Sequence, residues 1–224
     1  MANVESVLDV CEAQTPVARS MGRREACCVV CGQASGAVIV RAGDYSRRRC
    51  SCGTIYTTPL PADGEVDFTY DAHPEPFYAL AANHKAEWLS RVCSPGRLLE
   101  VGCGPGAFLV AARQRGFDVH GLEPHPGRAA IAIRRHGLDV RREYLAATTW
   151  PASSFDVVYH CDMLSHFPDP IQSLQEMIRL LRPNGRLFFE VGLMGGLGRP
   201  WYWLARRGLE HHLWLYSEAG LVRL

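Results

Sequence analysis

Lysine is nearly missing from this chain. Among its 24 basic side chains only Lys85 is a lysine, and the rest are arginines, which reads as a bias of composition. An excess of either charge is missing too. With 23 acidic residues the net charge is +1, so nothing global advertises a nucleic-acid partner. No apolar run reaches the length needed to span a membrane. The first twenty residues carry early acids and no apolar block of signal-peptide type, which leads to an expected cytoplasmic location. At 224 residues and 47% hydrophobic content, the chain can build one α/β domain and a small appendage.

Cysteine, by contrast, is plentiful. Nine are present, and five of them lie between Cys27 and Cys52. The spacing gives two knuckles, Cys28-Val29-Val30-Cys31-Gly32 and Cys50-Ser51-Cys52-Gly53. Paired knuckles about twenty residues apart are the pattern of tetrahedral sulfur ligation to a structural Zn²⁺. Cys28, Cys31, Cys50 and Cys52 are the expected ligands of a zinc-ribbon-like module. The second knuckle is C-x-C, with Arg49 where C-x-x-C would place a cysteine. Cys27 as a helper ligand, or reduced thiols without metal, are the alternatives. Strands are expected at 37–41 and 54–58. Seven arginines between Arg19 and Arg49 face only Glu25 and Asp44. They are either a solvated surface or a dock for an anionic partner such as RNA or a carrier protein.

The run Leu98-Leu99-Glu100-Val101-Gly102-Cys103-Gly104-Pro105-Gly106 reads as a buried strand, a carboxylate and a loop with glycine at every second position. A helix follows at 107–115. A dinucleotide loop is written G-x-G-x-x-G and seats a pyrophosphate on the helix N-terminus. A carboxylate just before the first glycine would repel that group and suits a ligand bearing an ammonium and a sulfonium. Residues 119–123 read as a second strand ending in Glu123, in the range where an acid binds ribose hydroxyls.

These residues resemble the class I S-adenosylmethionine-dependent methyltransferases. Ser154-Phe155-Asp156-Val157-Val158 is similar to that family's fourth strand, and Leu180-Leu181-Arg182-Pro183-Asn184-Gly185 to its helix-to-strand turn, with Asn184 in place of a glycine. The resemblance covers about residues 68–195. It implies an α/β fold with a doubly wound, Rossmann-like sheet and S-adenosyl-L-methionine as cofactor. Glu100, Gly102, Cys103, Gly104 and Gly106 would hold the methionine end and Glu123 the ribose. Tyr144 and Leu145 would lie by the adenine, with Cys161 completing the cofactor residues. Aromatic residues before the first core helix, Tyr70 and Tyr78, are candidates for a lid. His160-Cys161-Asp162-Met163-Leu164-Ser165-His166 is similar to the stretch where the acceptor is met, so His166, His160 and Asp162 are the catalytic candidates. Asp162 and His166 would share a face of one helical turn. His166 is either a base or a residue that orders the turn. Similar zinc ribbons precede the catalytic domain in many bacterial members.

The expected division is a tail (1–24), the cysteine module (25–61), a linker and lid (62–78) and the cofactor-binding domain (79–224). After a fifth strand at 187–191 the tail is glycine-rich and then aromatic (Trp201, Tyr202, Trp203, Trp214, Tyr216). The sheet is therefore expected in a C-terminally shortened form, lacking the family's last two strands, with a homodimer as one way to cover the edge. The expected function is methyl transfer to a small-molecule acceptor of secondary-metabolite or sugar type. An RNA methyltransferase and a non-catalytic cofactor-binding scaffold are the alternatives.

Overall fold

The structure is a computed structural model and describes residues 22–62, 75–194, 209 and 211–224. The proposed lid residue Tyr70, residues 1–21 of the tail and the aromatic group Trp201, Tyr202 and Trp203 lie outside them. The chain forms two compact units, each taken by itself below.

One unit comprises described residues 75–163 and 172–190. Its sheet contains β4 (Arg97–Val101), β5 (Asp118–Leu122), β6 (Asp139–Arg141), β7 (Phe155–Cys161) and β8 (Leu181–Glu190). The order is β6-β5-β4-β7-β8, with every pairing parallel. The helices are α1 (Glu75–Val92), α2 (Ala107–Arg113), α3 (Pro126–His136) and α4 (Pro170–Leu180). The α/β class and parallel sheet expected from the motifs are present. In β4, Leu98, Leu99, Glu100 and Val101 are all buried, as expected of a central strand covered on both faces. Helix α1 lays Ala82, Ala86 and Leu89 on the core, a stripe of helical spacing. From β4 the chain winds outward through β5 to β6, then crosses back to β7 on the other side. Ligands bind in such sheets beyond the carboxyl ends of the strands where the order reverses. That point is the end of β4.

Strand β8 differs from expectation. It begins at Leu181 and runs through Pro183 and Asn184, and Asn184 has φ 66°. Asparagine tolerates this left-handed conformation, so it serves where the family pattern has glycine. At the amino edge of the sheet, Asp156 accepts from the Arg97 amide at 2.8 Å. It also takes Arg182 Nη1 on both oxygens at 2.8 and 2.9 Å.

The other unit comprises described residues 22–62, 164–171, 191–194, 209 and 211–224. Its antiparallel sheet has the order β1 (Ala37–Ala42), β2 (Tyr45–Arg49), β3 (Ile55–Thr58), β9 (Trp214–Leu215). The tail is built into the cysteine module. Trp214 and Leu215 pair with Tyr56 and Ile55, and the Trp214 ring stacks on Tyr56 at 6.3 Å. Thr57 Oγ1 donates to the Leu209 carbonyl at 2.8 Å. A short helix, α5 (Glu218–Leu221), follows, with Ser217 Oγ accepting from the Gly220 amide at 3.0 Å. A boundary drawn in chain order at residue 79 therefore does not follow the packing. The tail residues belong with a sheet started far upstream, because β3 offers a free edge and buried aromatics to cover.

Candidate functional site

The loop between β4 and α2 is shaped by its glycines. Gly102 has φ 73° and Gly106 φ 88°. A Cβ on Gly102 would lie 2.6 Å from Met163 Sδ, and one on Gly106 2.4 Å from Leu138 Cδ1. Neither position admits another residue without strain. Gly104 differs, since a Cβ there would meet nothing within 4 Å. Its amide donates to Glu123 Oε2 at 2.8 Å, and the His125 amide donates to Oε1 at 2.9 Å. Glu123 thus clamps the loop to the end of β5.

Glu100 is 5% exposed, and its Oε2 is buried with no hydrogen-bond partner among the described residues. Burial pushes its carboxyl well above the usual range, Lys85 pulls it down, and Glu123 and Glu190 push it up. An orphaned carboxylate oxygen inside a protein is costly unless a ligand completes it. The donor end of S-adenosylmethionine fits here: its ammonium can complete Glu100, and the open face at Gly104 can admit it.

The remaining cofactor candidates are placed unevenly. The Cys103 thiol is in the hydrophobic core against Gly121 of β5, so only its backbone faces the loop. Leu145 is buried, whereas Tyr144 is 65% exposed and offers a free ring face.

The sequence reading missed a polar group on the α1 side of the sheet. Register places Glu100 beside Tyr159 and Cys161 beside Glu190. Period-2 alternation turns Tyr159 and Cys161 to one face. Lys85 of α1 donates to Cys161 Sγ at 2.9 Å and pairs with Glu190 Oε2 at 3.0 Å. The Tyr159 hydroxyl donates to Glu190 Oε1. Burial lowers the Lys85 pKa, but Cys161 and Glu190 outweigh it and raise the pKa overall, so the ammonium stays charged. Burial raises the Cys161 thiol despite Lys85. A groove of about 460 Å³ opens here, lined by His84, Lys85, Trp88, Tyr159, Phe188 and Glu190 among others. A signal was available: Glu190 follows the apolar run Leu187-Phe188-Phe189 as Glu100 follows Leu98-Leu99.

The catalytic candidates are placed unevenly. His160 is fully buried, its ring parallel to Phe189 at 5.2 Å. Burial lowers its pKa to about 4. Alternation turns it to the face opposite Cys161, into the sheet's packing. The helical turn expected over Asp162–His166 is absent: Asp162 is a bend with φ 56°, and the next helix after it begins at Pro170. Asp162 donates its amide to the Glu190 carbonyl at 2.7 Å. In the other unit, His166 Nδ1 lies 2.5 Å from the His211 carbonyl. Only a protonated Nδ1 can donate there, so His166 ties the turn to the tail.

The cysteine module carries the second candidate site. Its four sulfurs, from Cys28, Cys31, Cys50 and Cys52, all lie within 4.8 Å of one another. Cys28 and Cys52 approach to 3.5 Å, and Cys31 and Cys50 to 3.3 Å. Four thiolates about 2.3 Å from one Zn²⁺ would stand about 3.8 Å apart, so the set fits a tetrahedral ion. The C-x-C knuckle reaches the cluster because Cys50 accepts the Gly53 amide at 3.0 Å in a tight turn, as Cys28 accepts that of Gly32 at 2.7 Å. Cys27 is not among the four. Burial raises the Cys28 thiol. Cys52 is pushed up by burial and pulled down more strongly by Thr54 and the neighbouring thiols, to about 7. Two of the module's arginines have partners within the chain. Arg47 is buried and donates to the His212 carbonyl at 3.3 Å, and Arg23 pairs with Asp44 at 2.6 Å.

A family model described as a methyltransferase domain matches residues 77–224. The chain belongs to the methyltransferase domain family. Among curated relatives, the ubiquinone biosynthesis O-methyltransferase of Bordetella avium is 35% identical over 117 residues, 48% of each chain. That of Hahella chejuensis is 39% identical over 112 residues, 45% of each. The chain spans about half the length of the curated relatives it matches. Among solved structures, a methyltransferase from Thermotoga maritima, described as a possible histamine N-methyltransferase, is 23% identical. It aligns over 66% of this chain and 68% of its own with TM-score 0.54, a likeness of fold. The [4+2]-cyclase SpnF is 25% identical, over 65% of this chain and 57% of its own, with TM-score 0.52. No helix among the described residues is long and apolar enough to cross a membrane.

Proposed function

We propose that this methyltransferase domain binds S-adenosylmethionine beyond the carboxyl end of β4 and serves methyl transfer to a small-molecule acceptor. One observation carries the reading: the buried, uncompleted oxygen of Glu100 beside the open face at Gly104. Glu100 takes the ammonium of the donor, the 102–106 loop lies along its methionine portion, and Glu123 adds ribose contacts to its clamp on the loop. Tyr144 supplies a ring face for the adenine. The bound donor supplies an activated methyl group on a sulfonium, and the protein's task is alignment. The groove beside Glu190 and Trp88 supports an acceptor of small-molecule size, within the 300–1,000 Å³ typical of such clefts. The relatives' O-methyltransferase names point to a hydroxyl acceptor. In the other unit, Cys28, Cys31, Cys50 and Cys52 hold one structural Zn²⁺.

Titration calorimetry with S-adenosylmethionine and S-adenosylhomocysteine tests the donor site. One equivalent of each should bind. Glu100→Gln removes a charge-assisted hydrogen bond worth about 1.5–3 kcal/mol and should weaken S-adenosylmethionine about 10- to 150-fold. Absence of binding by both compounds would sink the reading. Donor binding with no turnover on any hydroxylated aromatic or sugar would instead favour non-methylating chemistry on this fold, in keeping with the cyclase likeness.

A further inference from the structure

Lys85 is the one lysine of the chain, and it stands among carboxylates. Glu190 Oε2 is 3.0 Å from its Nζ and Cys161 Sγ 2.9 Å. Glu190 is fixed on its other oxygen by Tyr159. Tyr159 is the register neighbour of Glu100 across the β4–β7 pairing. Lys85 is thus held at the carboxyl edge of the sheet by two groups, on the face that carries the orphaned oxygen of Glu100.

We infer that Lys85 is a positioning residue for the donor: its ammonium, anchored by Glu190 and Cys161, is the positive charge against which Glu100 is kept ready for the donor's ammonium. The inference rests on the donor reading above. It requires no contact between Lys85 and the donor. The titratable groups around Glu100 are Cys103 in the loop after β4, Tyr159 and Cys161 on β7, Glu190 on β8, Glu123 beyond β5, and Lys85 with its neighbour His84 on α1. Lys85 is the permanent cation among them. Its charge opposes the effect of burial and of the two carboxylates on Glu100. Without that charge, Glu100 takes up a proton more readily, and a protonated carboxyl is a poor acceptor for an ammonium. The sign is set: donor affinity in a lysine-less variant falls as pH falls and recovers as pH rises.

The test measures donor affinity from pH 6 to 9 for wild type, Lys85→Met and Lys85→Arg. Wild type and Lys85→Arg should share one profile. Lys85→Met should show that profile displaced to higher pH, binding S-adenosylmethionine up to about tenfold more weakly on the acid limb for one unit of pKa displacement, with the gap closing toward pH 9. In a Glu100→Gln background, Lys85→Met should change affinity less than twofold. A second arm avoids any folding defect of the variant. Because the chain has a single lysine, acetylation of the folded protein cancels this charge and reductive methylation retains it; acetylated Lys85→Arg protein controls for the α-amino group. Acetylated wild type should reproduce the Lys85→Met profile and methylated wild type should not. A profile identical to wild type for both Lys85→Met and the acetylated protein overturns the inference while leaving the donor site standing. Failure of wild type to bind donor overturns both.

Discussion

Around β4, Leu98, Leu99, Leu109 and Leu122 are almost wholly buried, and the buried carboxylates Glu100 and Glu123 sit at or just past strand ends. The antiparallel unit has a thinner interior of Ile55, Tyr56 and Tyr216, with four thiols gathered at its knuckles. The first region has a continuous apolar core of its own. The second has short strands and an arginine-rich β2, so it needs a staple, as small modules commonly do. The difference predicts where each region is vulnerable: the sheet to lost shape and the module, with the proposed Zn²⁺ bound, to lost ligation.

The largest effect expected is on the staple. Fresh protein should contain one zinc per chain, and the ion should contribute about 10–16 kcal/mol, as in zinc-finger peptides. Chelation or Cys28→Ser should abolish protection of the β2 and β3 amides from hydrogen exchange while those of β4 and β7 stay protected. Metal analysis giving less than half an equivalent would remove the distinction. Next comes the shape of the sheet's loop. Gly106→Ala places a methyl against Leu138 at φ 88°. Backbone strain of about 1–2 kcal/mol and overpacking of about 1–3 kcal/mol should lower urea stability accordingly and leave zinc content unchanged. A stable Gly106→Ala protein with normal donor affinity would refute the tight-loop account.

Smaller effects follow at single polar contacts. Burial raises the Asp156 carboxyl slightly, but Arg182 and Arg97 together hold it below its usual value. A depressed carboxylate contributes stability above its unfolded pKa and loses it as pH falls through the folded one. Asp156→Asn should therefore flatten the acid limb of the stability curve. The pair is partly exposed, so the neutral-pH loss should be below about 1 kcal/mol. His166→Ala removes the tie to the His211 carbonyl and should cost about 1 kcal/mol. A thousandfold loss of turnover with unchanged stability would restore His166 as a base.

Legibility followed the same divide. The β4 loop was plain because an apolar run, an acid and alternating glycines are local signals with one physical meaning. The four cysteines were plain for the same reason. Strand β2 was not, since Tyr45-Ser46-Arg47-Arg48-Arg49 shows no alternation of apolar residues, and its arginines find carbonyls only once folded. The Lys85, Cys161 and Glu190 group was hidden because a helix and two strands bring it together through register. His160 was misjudged by one residue of alternation, enough to turn an imidazole from a strand end into the interior.

The pairing of Ile55 with Leu215 has a consequence for how the chain comes into being. Synthesis delivers β1, β2 and β3 early and the strand that closes their edge long afterwards. A contact so distant along the chain is slow to find. Through most of translation the module exposes the edge of β3, a template for mispairing with other nascent chains. Early capture of a metal by knuckles that are complete by residue 53 would hold the unfinished sheet in register until its last strand arrives.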